Sequence, residues 1–329
     1  MMFNNKTILI TGGTGSLGKA LTKEIFQRHP KIGKIIVFSR DEQKHFEMRQ
    51  EFSLENFPNL EFIIGDIRDF DSVKSAFNSV DYVIHAAAMK HVHLSESNPE
   101  ECIKTNVWGA QNVIKATRET NVANVVALST DKACAPVNLY GATKLTSDKL
   151  FIAANNKSSK IKYSVVRYGN VMNSNGSVIP FFLKQKTNGI LTVTDTEMTR
   201  FNITLKEGVN MVLFALENAW GGELFVPKIP SYNILDLANA VDSNCEIKVI
   251  GIRPGEKVHE EMISSSDSYN TYDIGSYFVI LPTISNWKIS DFITKFKAKK
   301  VPIEFNYNSK ENNKFLSVKE LKDLIYNHS

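Results

Sequence analysis

Residues 6–18 read Lys6-Thr7-Ile8-Leu9-Ile10-Thr11-Gly12-Gly13-Thr14-Gly15-Ser16-Leu17-Gly18. The first five form an apolar, β-branched run of the kind that makes a buried strand. Glycines at 12, 15 and 18 follow with the spacing G-x-x-G-x-x-G, and Leu17, Leu21, Ile25 and Phe26 then recur on one helical face. A glycine-rich turn alone can simply reverse a chain. Strand, turn and helix in this order instead predict the start of a doubly wound parallel sheet, where bare backbone lets a pyrophosphate approach a helix N-terminus. Gly12, Thr14, Gly15, Ser16 and Leu17 are the candidate dinucleotide contacts.

The next strand, Lys34–Phe38, ends in Ser39-Arg40-Asp41. Where an acid would hold ribose hydroxyls, this chain carries a hydroxyl and then a guanidinium, and Arg40 can pair with a 2′-phosphate, which points to NADP. Asp41 is open to two readings, as N-cap of a helix over 42–54 or as a competing ribose ligand. A third strand, Phe62–Ile67, brings Asp66 and Ile67 towards the adenine. Tyr82–His85 forms a fourth, followed by the small residues Ala86, Ala87 and Ala88 and by Lys90. Val125–Ser129 forms a fifth, which delivers Thr130, Asp131 and Lys132 to the carboxyl edge of the sheet. The alternation predicts an α/β, Rossmann-like cofactor domain over 1–172 and a smaller mixed α/β substrate lobe over 173–329. In that second half, strands are expected around 190–194 and 247–251 and helices around 206–218 and 234–240, with 201–228 returning to the cofactor domain.

Residues 129–144, STDKACAPVNLYGATK, concentrate groups that move protons. If a helix begins near Val137, Tyr140 and Lys144 lie one turn apart on one face. An ammonium near a phenol favours the phenolate, which would make Tyr140 a usable base near neutral pH. Asp131-Lys132 reads equally as an acid/base pair or as an ion pair at a strand end.

The chain of 329 residues is long enough for two domains and a sizeable core. Its net charge of +4 is mild and scattered, which argues against nucleic acid as a partner. Cys102, Cys134 and Cys245 show neither metal nor disulfide spacing and fit a reducing cytoplasm, with Cys134 a small neutral filler. His85, His91 and His93 lack the carboxylate spacing that would complete a metal site, so none is expected. No apolar run reaches the roughly eighteen residues of a membrane span. Asn155–Lys160 and Asn306–Asn313 read as polar loops.

A series of segments now carries a resemblance: TGGTGSLGK at 11–19, FSRDE at 38–42, GDIRD at 65–69, HAAAMKHV at 85–92, ECIKTNVWGA at 101–110, STDKA at 129–133 and LYGATK at 139–144. It continues through RYGNV at 167–171, GSVIPFF at 176–182, MTRF at 198–201, GGELFVPKIPS at 221–231 and IGIRPGEKVHEEM at 250–262. The chain resembles extended short-chain dehydrogenase/reductases, and among them the inverting UDP-N-acetylglucosamine 4,6-dehydratases of pseudaminic acid synthesis. Three positions depart from that pattern: Asn173-Ser174-Asn175 where an arginine is usual, His93 for proline, and Asn202 for an aromatic residue.

The resemblance implies a soluble homo-oligomer, a hexamer in its relatives, acting on UDP-N-acetylglucosamine. It assigns Tyr140, with Thr130 and Lys144, to oxidation at sugar carbon 4. Lys132 becomes the base at carbon 5 and Asp131 the acid on the departing carbon 6 oxygen. Lys132 would then need a depressed pKa and Asp131 a raised one, or a proton shared between them. Lys90, Asn170, Val178, Thr199, Arg200, Arg253 and Glu256 are the expected substrate contacts, the cations for two phosphates and Glu256 for the ribose hydroxyls. Asn106 is expected to support the backbone of the site.

Overall fold

The computed structural model describes residues 3–53, 55–157, 160–172 and 178–327. Its first half alternates strand and helix: β1 (Thr7–Thr11), α1 (Ser16–Arg28), β2 (Lys34–Ser39), α2 (Glu42–Glu51), β3 (Leu60–Ile64), α3 (Phe70–Ala76) and β4 (Tyr82–His85). Then follow α4 (Val92–Ser97), α5 (Pro99–Ile103), a π-helical turn (Lys104–Trp108), α6 (Gly109–Arg118), β5 (Asn124–Thr130), α7 (Leu139–Ala154) and β6 (Lys162–Tyr168). The second half is mixed: β7 (Asn170–Val171), α8 (Val178–Lys186), β8 (Ile190–Val193), β9 (Thr199–Ile203), α9 (Leu205–Asn218), β10 (Leu224–Pro227), β11 (Ser231–Asn233), α10 (Ile234–Val241) and β12 (Glu246–Val249). It closes with β13 (Glu261–Ile263), β14 (Thr271–Asp273), β15 (Tyr277–Ile280), α11 (Ile289–Phe296), β16 (Lys299–Lys300), β17 (Tyr307–Asn308) and α12 (Val318–Asn327).

One ten-stranded sheet organises these elements, in the order β16-β14-β15-β10-β6-β5-β4-β1-β2-β3. Every pairing from β3 to β10 is parallel. The strand order reverses between β1 and β4, so the loops after those two strands diverge and leave a crevice at the carboxyl edge. Ile8, Leu9 and Ile10 are fully buried, as a central parallel strand covered on both faces requires. Helices α6 and α7 pack on each other, as do α1 and α9, and both α7 and α9 lie against β5 and β6.

The second half does not form a wholly separate lobe. Residues 205–227 lie against the main sheet as α9 and β10, and β14, β15 and β16 extend the same sheet with antiparallel pairings. That later return of 271–300 is absent from the sequence reading, because its strands are only two to four residues long. The smaller core gathers Met172, Ile179, Phe182, Leu191, Met198, Tyr232, Leu237, Leu316 and Leu321. Three further differences are local. β3 ends at Ile64, so Asp66 and Ile67 sit in the turn beyond it; α2 ends at Glu51; and the expected loop over 306–313 contains β17, which pairs with β13. Asn173–Ser177, with two of the departures noted above, lie outside the described residues.

Candidate active site

Thr11 ends β1, and its hydroxyl accepts from Ala87 N at 3.2 Å and shares a hydrogen bond of 2.9 Å with His85 Nδ1, so the ends of β1 and β4 are tied together. His85 is thus a buried structural group, kept neutral by burial and then by Lys144, with its pKa lowered to about 3. Gly12 follows with φ +66°, and a Cβ there would stand 2.9 Å from Ala87 N and Cα, which only glycine avoids. Helix α1 begins at Ser16 with no side-chain cap and no acid in its first turn. Its N-terminal amides therefore face the crevice unsatisfied, a ready site for an anionic pyrophosphate.

At the end of β2, Ser39 Oγ lies 3.0 Å from Thr14 Oγ1 and 2.9 Å from His45 Nε2. Asp41 accepts from Lys44 N at 3.1 Å and caps α2, and its carboxylate also pairs with Lys44 Nζ at 3.2 Å. Of its two readings, the helix cap is the one the geometry supports. Arg40 is 63% exposed and its guanidinium is 3.8 Å from Asp66, whose carboxylate is otherwise held by Arg68. These residues fit a dinucleotide, with Arg40 available at the ribose end.

Asn138 starts α7 by accepting from Gly141 N at 2.7 Å, while its amide donates to Gly255 O at 2.8 Å. A Cβ on Gly141 would lie 2.1 Å from Lys132 O, so the first turn of α7 and the turn after β5 approach as closely as backbone allows. Tyr140 is thereby placed beside Lys132. Asn106, inside the π-helical turn, accepts from Met89 N at 2.8 Å and donates to Met89 O at 3.0 Å and Thr143 Oγ1 at 3.0 Å, supporting the backbone as expected.

The electrostatics depart from the sequence expectation at two points. Burial pushes Tyr140 up to about 12, and the largest charge effect opposing this comes from Lys132, with a hydrogen bond from Thr130 also lowering it; the phenol is not a ready base. Burial also lowers Lys144, against Asp148, which Ser129 and Arg167 hold at 2.7 and 3.2 Å. For Lys132, burial would depress the ammonium, but Asp131 and Glu260 outweigh it, so its pKa is raised rather than depressed. Its Nζ lies 3.0 Å from Asp131 Oδ1, 3.1 Å from Glu260 Oε1 and 3.3 Å from Asn170 Oδ1. Asp131 is raised as an acid requires, by burial first and by Glu260 against the opposing Lys132.

Glu260 escaped the sequence reading. It is buried, lies just before β13, and its Oε1 is also 3.8 Å from Arg200 Nε. The segment 250–262 pointed to it, but nothing there distinguishes which of its acids turns inward.

A cleft of about 1260 Å³ joins these groups. Lining it are Gly12, Thr14, Gly15, Ser16, Leu17, Ser39, Arg40, Asp41, Asp66, Ile67, Ala86, Ala87, Ala88, Lys90, Thr130, Lys132, Tyr140, Lys144, Asn170, Val178, Arg200, Asn202, Arg253, Glu256 and Glu260. Two expected residues do not line it. Asp131 is fully buried behind Lys132, and the Thr199 hydroxyl is committed to His259 and Ser309 at 2.8 and 2.7 Å. Arg200 lends its Nη1 to backbone oxygens of Thr199 and Val258. His93 is exposed on α4, and burial pushes the Cys134 thiol to about 12, leaving it neutral.

A dinucleotide cradle at the switch point, sharing one cleft with a Tyr-x-x-x-Lys helix, defines an extended short-chain dehydrogenase/reductase. Within that class the chain belongs to the polysaccharide biosynthesis protein family, whose model matches residues 8–282. It is 53% identical over 336 residues to the UDP-N-acetylglucosamine 4,6-dehydratase (inverting) of Campylobacter jejuni, covering all of this chain and 99% of that protein. It is also 42% identical over 335 residues to the UDP-glucose 4-epimerase of Rickettsia bellii, covering 99% and 97%. The X-ray structure of Pen from Bacillus thuringiensis superposes with a TM-score of 0.90 at 39% identity, covering 100% and 99%.

Proposed function

We propose that this chain is an inverting UDP-N-acetylglucosamine 4,6-dehydratase, using a nicotinamide dinucleotide, NADP in preference to NAD. The observation that carries the reading is the Asp131-Lys132 contact at 3.0 Å, with Lys132 lining the cleft that holds Tyr140 and Lys144 and Asp131 buried behind it. An epimerase needs the tyrosine and lysine but has no use for an acid and a base at the neighbouring carbons.

The dinucleotide supplies the oxidant for carbon 4 and the reductant for carbon 6. Tyr140 takes the carbon 4 hydroxyl proton; since burial disfavours its phenolate, Thr130 and Lys132 must stabilise that form as it develops. The ketone acidifies the carbon 5 hydrogen, which Lys132 meets, and Asp131 supplies the proton with which the carbon 6 oxygen departs as water. Asp131 is enclosed, so that proton reaches the cleft by way of the Thr130 hydroxyl, which lines the cleft and lies 3.0 Å from Asp131 Oδ1. Lys90, Arg200 and Arg253 supply cationic groups for the diphosphate.

Arg40 supports NADP, since Asp41 is engaged as a cap rather than held towards a ribose. Among the described residues no helix is long and apolar enough to cross a membrane. A homo-oligomer is proposed from the resemblance alone. Mass spectrometry of UDP-N-acetylglucosamine incubated with the protein and NADP tests the reading: loss of one water is expected, and an isomer of unchanged mass would favour epimerisation.

A further inference from the structure

Two carboxylates, not one, contact the Lys132 ammonium. Asp131 Oδ1 and Glu260 Oε1 stand 3.0 and 3.1 Å from Nζ, and each acid keeps its second oxygen, Asp131 Oδ2 and Glu260 Oε2, buried without a hydrogen-bond partner. The two acids are not equivalent. Glu260 borders the cleft and faces three cations, Lys132, Arg200 and Lys257, whereas Asp131 is enclosed behind Lys132. Glu260 therefore sits as the carboxylate and Asp131 as the acid. An ammonium held between them has no lone pair for the carbon 5 proton until one of its own protons leaves, and Glu260 is the contacting group with room to accept it.

We propose that Glu260 is the terminal proton acceptor of the elimination, acting through Lys132. As the carbon 5–hydrogen bond breaks, its electron pair forms the carbon 5–carbon 6 double bond, and Lys132 Nζ takes that proton while passing one of its own to Glu260 Oε1. The carbon 6–oxygen bond breaks together with this, and the oxygen leaves as water with the proton of Asp131. The set starts as a protonated Asp131, an ammonium and a carboxylate, and ends as an ionised Asp131, an ammonium and a protonated Glu260. No oxidant or reductant is involved. The inference rests on the dehydratase reading and gives it the base that the charge state of Lys132 withholds.

The test uses full-length protein with NADP and UDP-N-acetylglucosamine in deuterated water. Glu260→Gln keeps an oxygen for Lys132 but cannot take a proton. Cofactor reduction by the substrate should persist, while deuterium uptake at carbon 5 and loss of water fall roughly 100-fold or more. The pH profile of the residual elimination should change, because Lys132 must then lose a proton to solvent rather than to Glu260 while Asp131 must still keep its own; Arg200, Lys257, Tyr140 and Tyr232 are the other charged or titratable groups around the pair. Glu260→Asp should recover part of the loss. Equal loss of cofactor reduction and elimination with an unchanged pH profile would show a merely structural role, and undiminished exchange in Glu260→Gln would also overturn the proposal. If the unaltered protein releases no water from this substrate, the dehydratase reading falls and this role with it.

Discussion

Lys132 is the side chain on which the chemistry turns, since its contacts fix both its position and its charge. Tyr140 acts first in the sequence of steps. Tyr140→Phe should abolish cofactor reduction and also deuterium uptake at carbon 5, because without the ketone that hydrogen never becomes acidic; rapid-mixing absorbance followed by NMR reads both. Lys132→Ala should slow elimination by roughly 100-fold or more, the contribution of a positioned general base, and slow the first hydride transfer by less, because Thr130 still supports the Tyr140 phenolate. Asp131 gives the pH dependence its sign. Its raised pKa keeps the acid form to higher pH than a free aspartate, so elimination is favoured below that value and lost as pH rises through it. Asp131→Asn should remove that decline along with most of the activity, as a pH profile of single-turnover elimination would show. At the other end of the cleft, Arg40→Met should weaken NADP by about tenfold or more, corresponding to a charge-assisted contact of ~1.5–3 kcal/mol, with NAD unchanged. Equal loss for both cofactors in a binding titration would contradict the assignment.

Among the elements, α7 carries the tightest geometric demand. Its start at Leu139 is set by Asn138, which caps the helix and ties it to the loop at Gly255, and its distance from the turn after β5 is set by Gly141. Gly141→Ala would place a methyl group 2.1 Å from Lys132 O, a clash that can be relieved only by moving Tyr140 away from Lys132. Turnover should fall far more than thermal stability, and a variant with normal kcat would show that this approach is not needed. The sequence displayed the first turns well, because a fully apolar strand, three spaced glycines and an amphipathic helix are all local signals. It displayed Tyr140 and Lys144 for the same reason, as two positions one helical turn apart. Glu260 was not legible, since its role is set by a fold that returns it to Lys132 across 128 positions, and HEEM offers two adjacent acids of which one turns inward. The charge state of Lys132 is not legible either: burial lowers its pKa, and Asp131 together with the distant Glu260 outweighs that effect.

Across the whole molecule, the cofactor crevice follows from the reversal of strand order between β1 and β4, and the substrate side from the smaller core of α8, α10 and α12 beside it. The pattern up to β6 was readable because its strands, four to seven residues long, alternate regularly with helices. The antiparallel extension through β14, β15 and β16 was not, since short strands leave too few residues for a period of two to show. If the proposed assembly is correct, light scattering at micromolar protein should give a mass well above the 37.0 kDa of one chain, and a monomeric mass would refute it. The central claim is elimination with inversion, and proton NMR of UDP-N-acetylglucosamine turned over in deuterated water tests it most directly. The account predicts a 4-keto-6-deoxy sugar carrying deuterium at carbon 5 in the inverted configuration. A 4-epimer with its carbon 6 hydroxyl intact and no deuterium at carbon 5 would contradict it.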